Sequence, residues 1–209
     1  MKKKYEEPNI RISKVYTKIG DKGKTALIGG ASVSKNDVRV CSYGEIDELN
    51  VLMGFSIFYL SKTKGLDKLE YTLSRLISIQ NELFNLGTVL ASIGKESSGN
   101  LPKIDIEDIT LLEEDIDTMN AFLDPLKSFI LPGGNKLILH LHLSRVVCRR
   151  AERSVVAVFD KYPEADTKMI EYLNRLSDYL FVLSRWVSKS IGEEEVLWSP
   201  NNITSNNNT

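Results

Sequence analysis

This chain has almost no excess of either charge: 27 lysines and arginines stand against 28 aspartates and glutamates. With no overall field to recruit nucleic acid or an anionic membrane, any anion site must be local. Cysteine is equally scarce. Cys41 and Cys148 form no CxxC or Cys/His cluster, which argues against structural zinc and against a disulfide framework. No run of eighteen apolar residues exists to span a bilayer. The start, "MKKKYEEPNIRIS", lacks the apolar stretch of a signal peptide, and Glu6 and Glu7 spoil a transit-peptide reading. These absences predict a cytoplasmic protein in a reducing compartment, with no nucleic-acid or membrane partner.

A P-loop is also missing, although "GDKGKT" (20–25) resembles the end of one. The Walker pattern requires glycine five positions before Gly23, so that the backbone wraps a phosphate before the lysine reaches it. That position is Lys18. A P-loop kinase would also need an alternating strand and helix pattern, and the chain is helix-dominated.

What is present is helical periodicity. Ile46, Leu49, Met53, Ile57 and Leu60 recur at steps of three and four, after a capping-box spacing of Ser34 and Asp37. Leu66, Leu69, Leu73, Leu76, Leu83 and Leu90 predict a second helix over about 66–92, stopped by "GKESSGNLPK". A third, more acidic helix spans roughly 105–123, before Pro125, and "FILPGG" then breaks the chain. Leu137, Leu141, Cys148, Ala151, Val155 and Val158 form a fourth stripe, and Leu173, Leu176, Leu180, Leu183 and Val187 a fifth. Alternation suggesting strands is confined to 10–19 and 26–28. The expected fold is all-α, a five-helix bundle with an irregular N-terminal arm. Its domain covers 13–192, after an extension at 1–12 and before a polar, disordered tail over 193–209.

Charged residues flank two of these stripes. Arg145, Arg149 and Glu152 repeat the i, i+4, i+7 spacing of the apolar set, displaced by one residue, or about 100° around the axis. Arg150 and Arg153 extend the row, and Asn174 and Asp178 lie one turn apart on the fifth helix. The plainer reading is a solvated face with weak i, i+4 salt bridges. The functional reading is an anion site, because the arginine fork suits triphosphate oxygens.

In the arm, Thr17, Lys18, Gly20, Asp21, Gly23 and Thr25 combine small residues that admit backbone amides to an anion with hydroxyls and a lysine. Such a loop is also an ordinary turn. Asp47 reads either as an exposed helix acid or as a carboxylate orienting an arginine, and Phe129 as core filler or as a ligand-facing wall. His140 and His142, two apart on a helix, point about 200° apart and cannot share a metal.

Taken in order, "YTKIGDKGKTALIGG", "KNDVRVCSYGEIDELN", "FILPGG", "RRAER" and "YLNRLSDYLFVLSR" resemble the motifs of PduO-type ATP:cob(I)alamin adenosyltransferases over about residues 13–191. The resemblance implies a homotrimer with active sites at subunit boundaries. It implies Mg²⁺ with ATP, and transfer of the 5′-deoxyadenosyl group to cob(I)alamin with release of triphosphate. Thr17, Lys18, Gly20, Asp21, Gly23, Thr25 and Lys35 would bind ATP from one subunit. The neighbour would supply Arg145, Arg149, Glu152 and Asn174. Asp47 would pair with Arg149 across the interface, where breaking a buried pair costs about 3 to 5 kcal/mol. Phe129 would pack against the lower corrin face and keep axial ligands off cobalt. A cob(II)alamin reductase and an adenosylcobalamin-dependent enzyme follow as partners. The rival is a noncatalytic carrier bundle that binds ATP or cobalamin without turnover. The metal ligands and the preferred corrinoid are left open.

Overall fold

The computed structural model describes residue 16, residues 18–94 and residues 101–201. The expected extension at 1–12, Thr17, the loop over 95–100 and the end of the polar tail lie outside them. Five helices follow one another: α1 (Val38–Leu60), α2 (Leu69–Ser92), α3 (Ile106–Asn120), α4 (Lys136–Lys161) and α5 (Lys168–Ser190). Helix α1 packs between α2 and α4, and α5 packs between α4 and α3. The five-helix expectation holds, and every residue of the fourth and fifth stripes is buried. Each such leucine or valine contributes about 1.5 to 3 kcal/mol when fully withdrawn from water.

The helix ends show how local chemistry sets boundaries. Asp37 caps α1 by accepting from the Arg39 backbone N–H at 3.0 Å, so the cap is Asp37 itself rather than Ser34 in a capping box. Ser34 Oγ instead accepts from Asn36 N–H in the turn before it. Helix α2 begins at Leu69, later than the stripe suggested, because Leu66 is buried from the connecting loop. At α3 a true capping box forms between Asp105 and Asp108.

The arm contains a 3-10 turn (Ile19–Lys22) and a small antiparallel hairpin, β1 (Lys24–Ala26) with β2 (Ser32–Ser34), in which Thr25 faces Val33. The expected strand at 26–28 is therefore displaced: pairing ends at Ala26, and Gly29 and Gly30 turn the chain at positive φ.

The tail requires a correction as well. Residues 193–198 do not trail away but return to the "FILPGG" segment. Leu131 N–H donates to the Val196 carbonyl at 2.8 Å and Trp198 N–H to the Phe129 carbonyl at 2.6 Å. Glu193 accepts from Asn135 N–H, and Glu195 pairs with the buried Arg185. Backbone pairing, supported by two carboxylates, orders a segment whose composition alone reads as solvent-loving.

Candidate functional site

The arm builds a small loop closed by a lysine. Lys18 and Gly23, at φ 61° and 73°, bracket the 3-10 turn in left-handed conformations. Gly23 N–H donates to the Gly20 carbonyl, and Lys35 N–H donates to the Gly23 carbonyl at 2.9 Å. A side-chain carbon on Gly20 would come within 3.2 Å of Lys35 Nζ, so the ammonium closes directly over this glycine. Asp21 is exposed and Thr25 half-buried beside them.

A buried hinge, invisible in the stripe pattern, ties the arm to the bundle. Arg39 grips Asp37 through Nε at 2.9 Å and Nη2 at 3.1 Å, and its Nη1 donates to the Ile93 carbonyl at 2.7 Å. Its guanidinium also stacks over Tyr162 at 4.8 Å. Hydrogen bonding from Arg39 holds the Asp37 carboxyl down at about 2. Ile28 N–H adds a bond to the Ala91 carbonyl at 3.2 Å.

The charged row lies on the middle of α4. Glu152 accepts a hydrogen bond from Asn174 Nδ2 at 3.2 Å, joining α4 to α5 as their positions beside the stripes suggested. Arg145 is half-buried over Phe181, with its Nε buried and unbonded. Desolvation, then the neighbouring Arg149, lowers its pKa from the usual guanidinium range. Arg149 is exposed one turn on, and no carboxylate forms an ion pair with either arginine among the described residues.

The rest of the row behaves differently. Arg150 turns to α1 and pairs with Glu45 at 2.5 Å and with Glu48. Arg153 donates to the Arg149 carbonyl, and Asp178 is taken by Arg175. Arg150, Arg153 and Asp178 are thus spoken for, and Arg145 with Arg149 is left as a like-charged pair open to an anion.

Loop and row do not meet within one chain. Lys161, whose Nζ is 3.7 Å from Asp37 below the arm, lies twelve residues beyond Arg149, about 18 Å along the helix. Asp47 is exposed on α1 and is not brought to Arg149 in the same chain.

Phe129 is 78% exposed, which rules out core filling. Trp198 of the returning tail stands beside it with ring centroids 6.2 Å apart, and Ser128 Oγ donates to the Trp198 carbonyl. Trp198 is a residue that the periodicity could not find, since it lies about seventy positions from its partner. His140 packs against Tyr59 and its Nδ1–H donates to the Lys136 carbonyl, whereas His142 is buried with Nδ1 unbonded. Burial, then Arg145, lowers the His142 pKa. Among the described residues, no three His, Cys, Asp or Glu side chains converge as a metal cage.

Comparison with known proteins agrees with the residue pattern. A family model for cobalamin adenosyltransferase matches residues 15–187. The chain is 43% identical over 183 residues to the corrinoid adenosyltransferase of Bacillus subtilis strain 168, covering 88% of this chain and 91% of that relative. It is 38% identical over 194 residues to the human corrinoid adenosyltransferase MMAB, covering 91% of this chain and 75% of the human one. A variant PduO-type ATP:corrinoid adenosyltransferase from Lactobacillus reuteri, complexed with cobalamin and ATP, matches with a TM-score of 0.81 at 33% identity. That likeness covers 90% of this chain and 97% of the other.

Proposed function

The chain belongs to the cobalamin adenosyltransferase family, and from that premise we propose that it transfers the 5′-deoxyadenosyl group of ATP to the cobalt of a reduced corrinoid. The cobalt(I) electron pair attacks C5′ and becomes the cobalt–carbon bond, while the C5′–O bond breaks and triphosphate leaves with the electron pair of that bond. Because cobalt(I) is the nucleophile, no serine, cysteine or histidine has to be activated. The protein's task is to hold the nucleotide in line and to receive charge building on triphosphate.

The observation that carries this reading is the Arg145 and Arg149 pair, left without a carboxylate beside the Asn174–Glu152 hydrogen bond. Two adjacent guanidiniums repel each other until an anion arrives, and their forks suit phosphate oxygens. Asn174 and Glu152 offer donors and acceptors for the nucleoside. Thr17, Lys18, Gly20, Asp21, Gly23, Thr25 and Lys35 supply the second half of the grip, with Lys35 Nζ closing over Gly20.

Because arm and row lie far apart in one chain, the complete site takes the arm of one subunit and the row of its neighbour. A homotrimer closes such a head-to-tail arrangement. Exposed Val51, Phe55 and Phe58 on α1, with Leu139, Leu143 and Val146 on α4, supply apolar surface for this contact. Asp47 of one subunit then answers Arg149 of the next, giving an otherwise lone helix acid a partner.

Mg²⁺ fits this donor set as a passenger on ATP. It is commonly held by one or two carboxylates plus substrate phosphates, so Asp21 with Thr25 would be enough to hold it beside the triphosphate. Bound there it would neutralise triphosphate charge. On the corrinoid side, exposed Phe129, with Trp198 beside it, forms an apolar wall against the lower face that keeps water from cobalt. A cob(II)alamin reductase supplies the electron, and an adenosylcobalamin-dependent enzyme consumes the product. No described helix is long and apolar enough to cross a membrane, in keeping with a cytoplasmic setting.

The test is anaerobic incubation with Mg-ATP and chemically reduced cob(I)alamin, following the cobalt spectrum and released triphosphate. Equal yields of adenosylcobalamin and triphosphate support the transferase. ATP binding without a cobalt–carbon bond would overturn it in favour of a carrier. Phe129→Ala should impair turnover most when cob(II)alamin must first be reduced.

A further inference from the structure

Away from the charged row, a cavity of about 620 Å³ opens where the start of α2, the end of α3 and the last turns of α5 diverge. Its size falls within the range of small-molecule sites, roughly 300 to 1,000 Å³. Tyr71, Met119, Phe122 and Trp186 form its walls, an aromatic and thioether lining with no part in the reaction described above. Phe122 is 62% exposed at the mouth, whereas Tyr179 on the floor is only 2% exposed.

The polar groups of this cavity narrow the chemistry of its occupant. Asp115 is already neutralised by its partners, accepting from Tyr71 Oη at 2.5 Å and from the Arg75 guanidinium Nε at 3.1 Å. Lys189 is paired with Asp124 at 2.8 Å, and Asp67 and Lys68 offset each other at the rim. No net charge is left to attract an ion. The Tyr179 hydroxyl, by contrast, makes no hydrogen bond among the described residues. Burial pushes its pKa far up, so it remains a protonated donor without an acceptor. Its oxygen is not one of the fully buried unpaired atoms, so it meets the open cavity, where the acceptor of an occupant can take the place of water.

We propose that this cavity is a second ligand site, which takes a neutral fused-ring aromatic molecule bearing one hydrogen-bond acceptor. The ring system lies among Tyr71, Met119, Phe122 and Trp186, and the acceptor meets the Tyr179 hydroxyl. The site is separate from the ATP site: α5 presents Tyr179 and Trp186 here and Asn174 to Glu152 on α4.

The probe is 6-propionyl-2-dimethylaminonaphthalene, a neutral bicyclic ketone whose emission shifts to the blue in apolar surroundings and which accepts energy from tryptophan. Titrated into the full-length protein, it should bind saturably at one site per chain. Tyr179→Phe should weaken it about tenfold, and 2-dimethylaminonaphthalene, which lacks the ketone, should bind both proteins equally. Phe122→Ala, a change at the exposed mouth that leaves the core intact, should weaken the ketone several-fold. Met119→Trp, which fills the space, should abolish binding. Saturating Mg-ATP should leave the affinity unchanged. Absence of saturable binding, indifference to Phe122→Ala and Tyr179→Phe, or displacement by ATP would each overturn the proposal. None of these outcomes bears on adenosyl transfer, which the cobalt assay reads separately.

Discussion

Arg75 and the Arg145–Arg149 pair show two opposite ways of placing arginine in one bundle. Arg75, 4% exposed on α2, is held by Glu82 at 2.7 Å and Asp115 at 3.1 Å. Tyr172 and Tyr71 donate to those same carboxylates. Arg145 and Arg149 have no carboxylate among the described residues, and desolvation lowers the pKa of Arg145. In the first case the protein supplies the counter-charge, and the cation belongs to the fold. In the second the counter-charge must come from outside, and the fold holds a repulsive pair ready for it. Charge near a core is therefore uninformative until its partners are counted.

The sharpest way to break the comparison is Arg75→Met. Removing this cation strands two largely buried carboxylates and should lower unfolding free energy by about 3 to 5 kcal/mol, read by chemical denaturation. The fraction that remains folded should retain its kcat. Arg149→Ala should weigh on the reaction instead: a loss of at least about 100-fold in kcat/KM for adenosyl transfer, with the fold within each subunit intact by circular dichroism and any loss of stability confined to the Asp47 contact between subunits. Arg149→Lys should recover little, since an ammonium cannot reproduce the two-pronged contact. A smaller effect is expected at the loop. Gly23→Ala forces a side chain into φ 73°, at about 1 to 2 kcal/mol. This should raise KM for ATP several-fold and leave the melting temperature of the bundle in place.

How much of this contrast was legible in the sequence depends on distance along the chain. The stripes that define α4 and α5 repeat every three or four residues, so their buried faces follow from local order alone. Arg145, Arg149 and Glu152 inherit that legibility because they ride on α4 at fixed angles from Leu141 and Cys148. Asn174 does so on α5. By contrast, the sequence row continues without a break through Arg150, yet Arg150 pairs with Glu45 and Glu48 on α1, about a hundred residues away. Nothing in "RRAER" says which arginine turns back. The return of Trp198 to Phe129 and the reach of Arg39 to Ile93 are likewise long-range, and no periodicity encodes them. The hairpin was blurred for another reason: three-residue strands are too short for alternation to stand out, and Gly29 and Gly30 mark the turn more clearly than the strands.

Asp37 and Arg39 refine the comparison, because this ion pair serves structure at the edge of the proposed ATP site. The Asp37 carboxyl lies at about 2, below its ordinary 3.8, with the Arg39 hydrogen bond as the main cause. A depressed carboxylate pKa stabilises the fold above the unfolded value, and that contribution is lost as pH falls through the folded value. Asp37→Asn keeps a capping side chain but removes the charge. After allowance for screening at a partly solvated pair, it should cost about 1 to 2 kcal/mol at pH 7. The gap between wild type and variant should persist down to about pH 4, narrow between 4 and 2, and close below 2, as measured by denaturant midpoints along the pH series. A gap that stayed constant through that window would assign the stabilisation to the fit of the side chain rather than to its charge, since Asn keeps the cap. Arg39 would then hold the arm mainly through Ile93 and Tyr162.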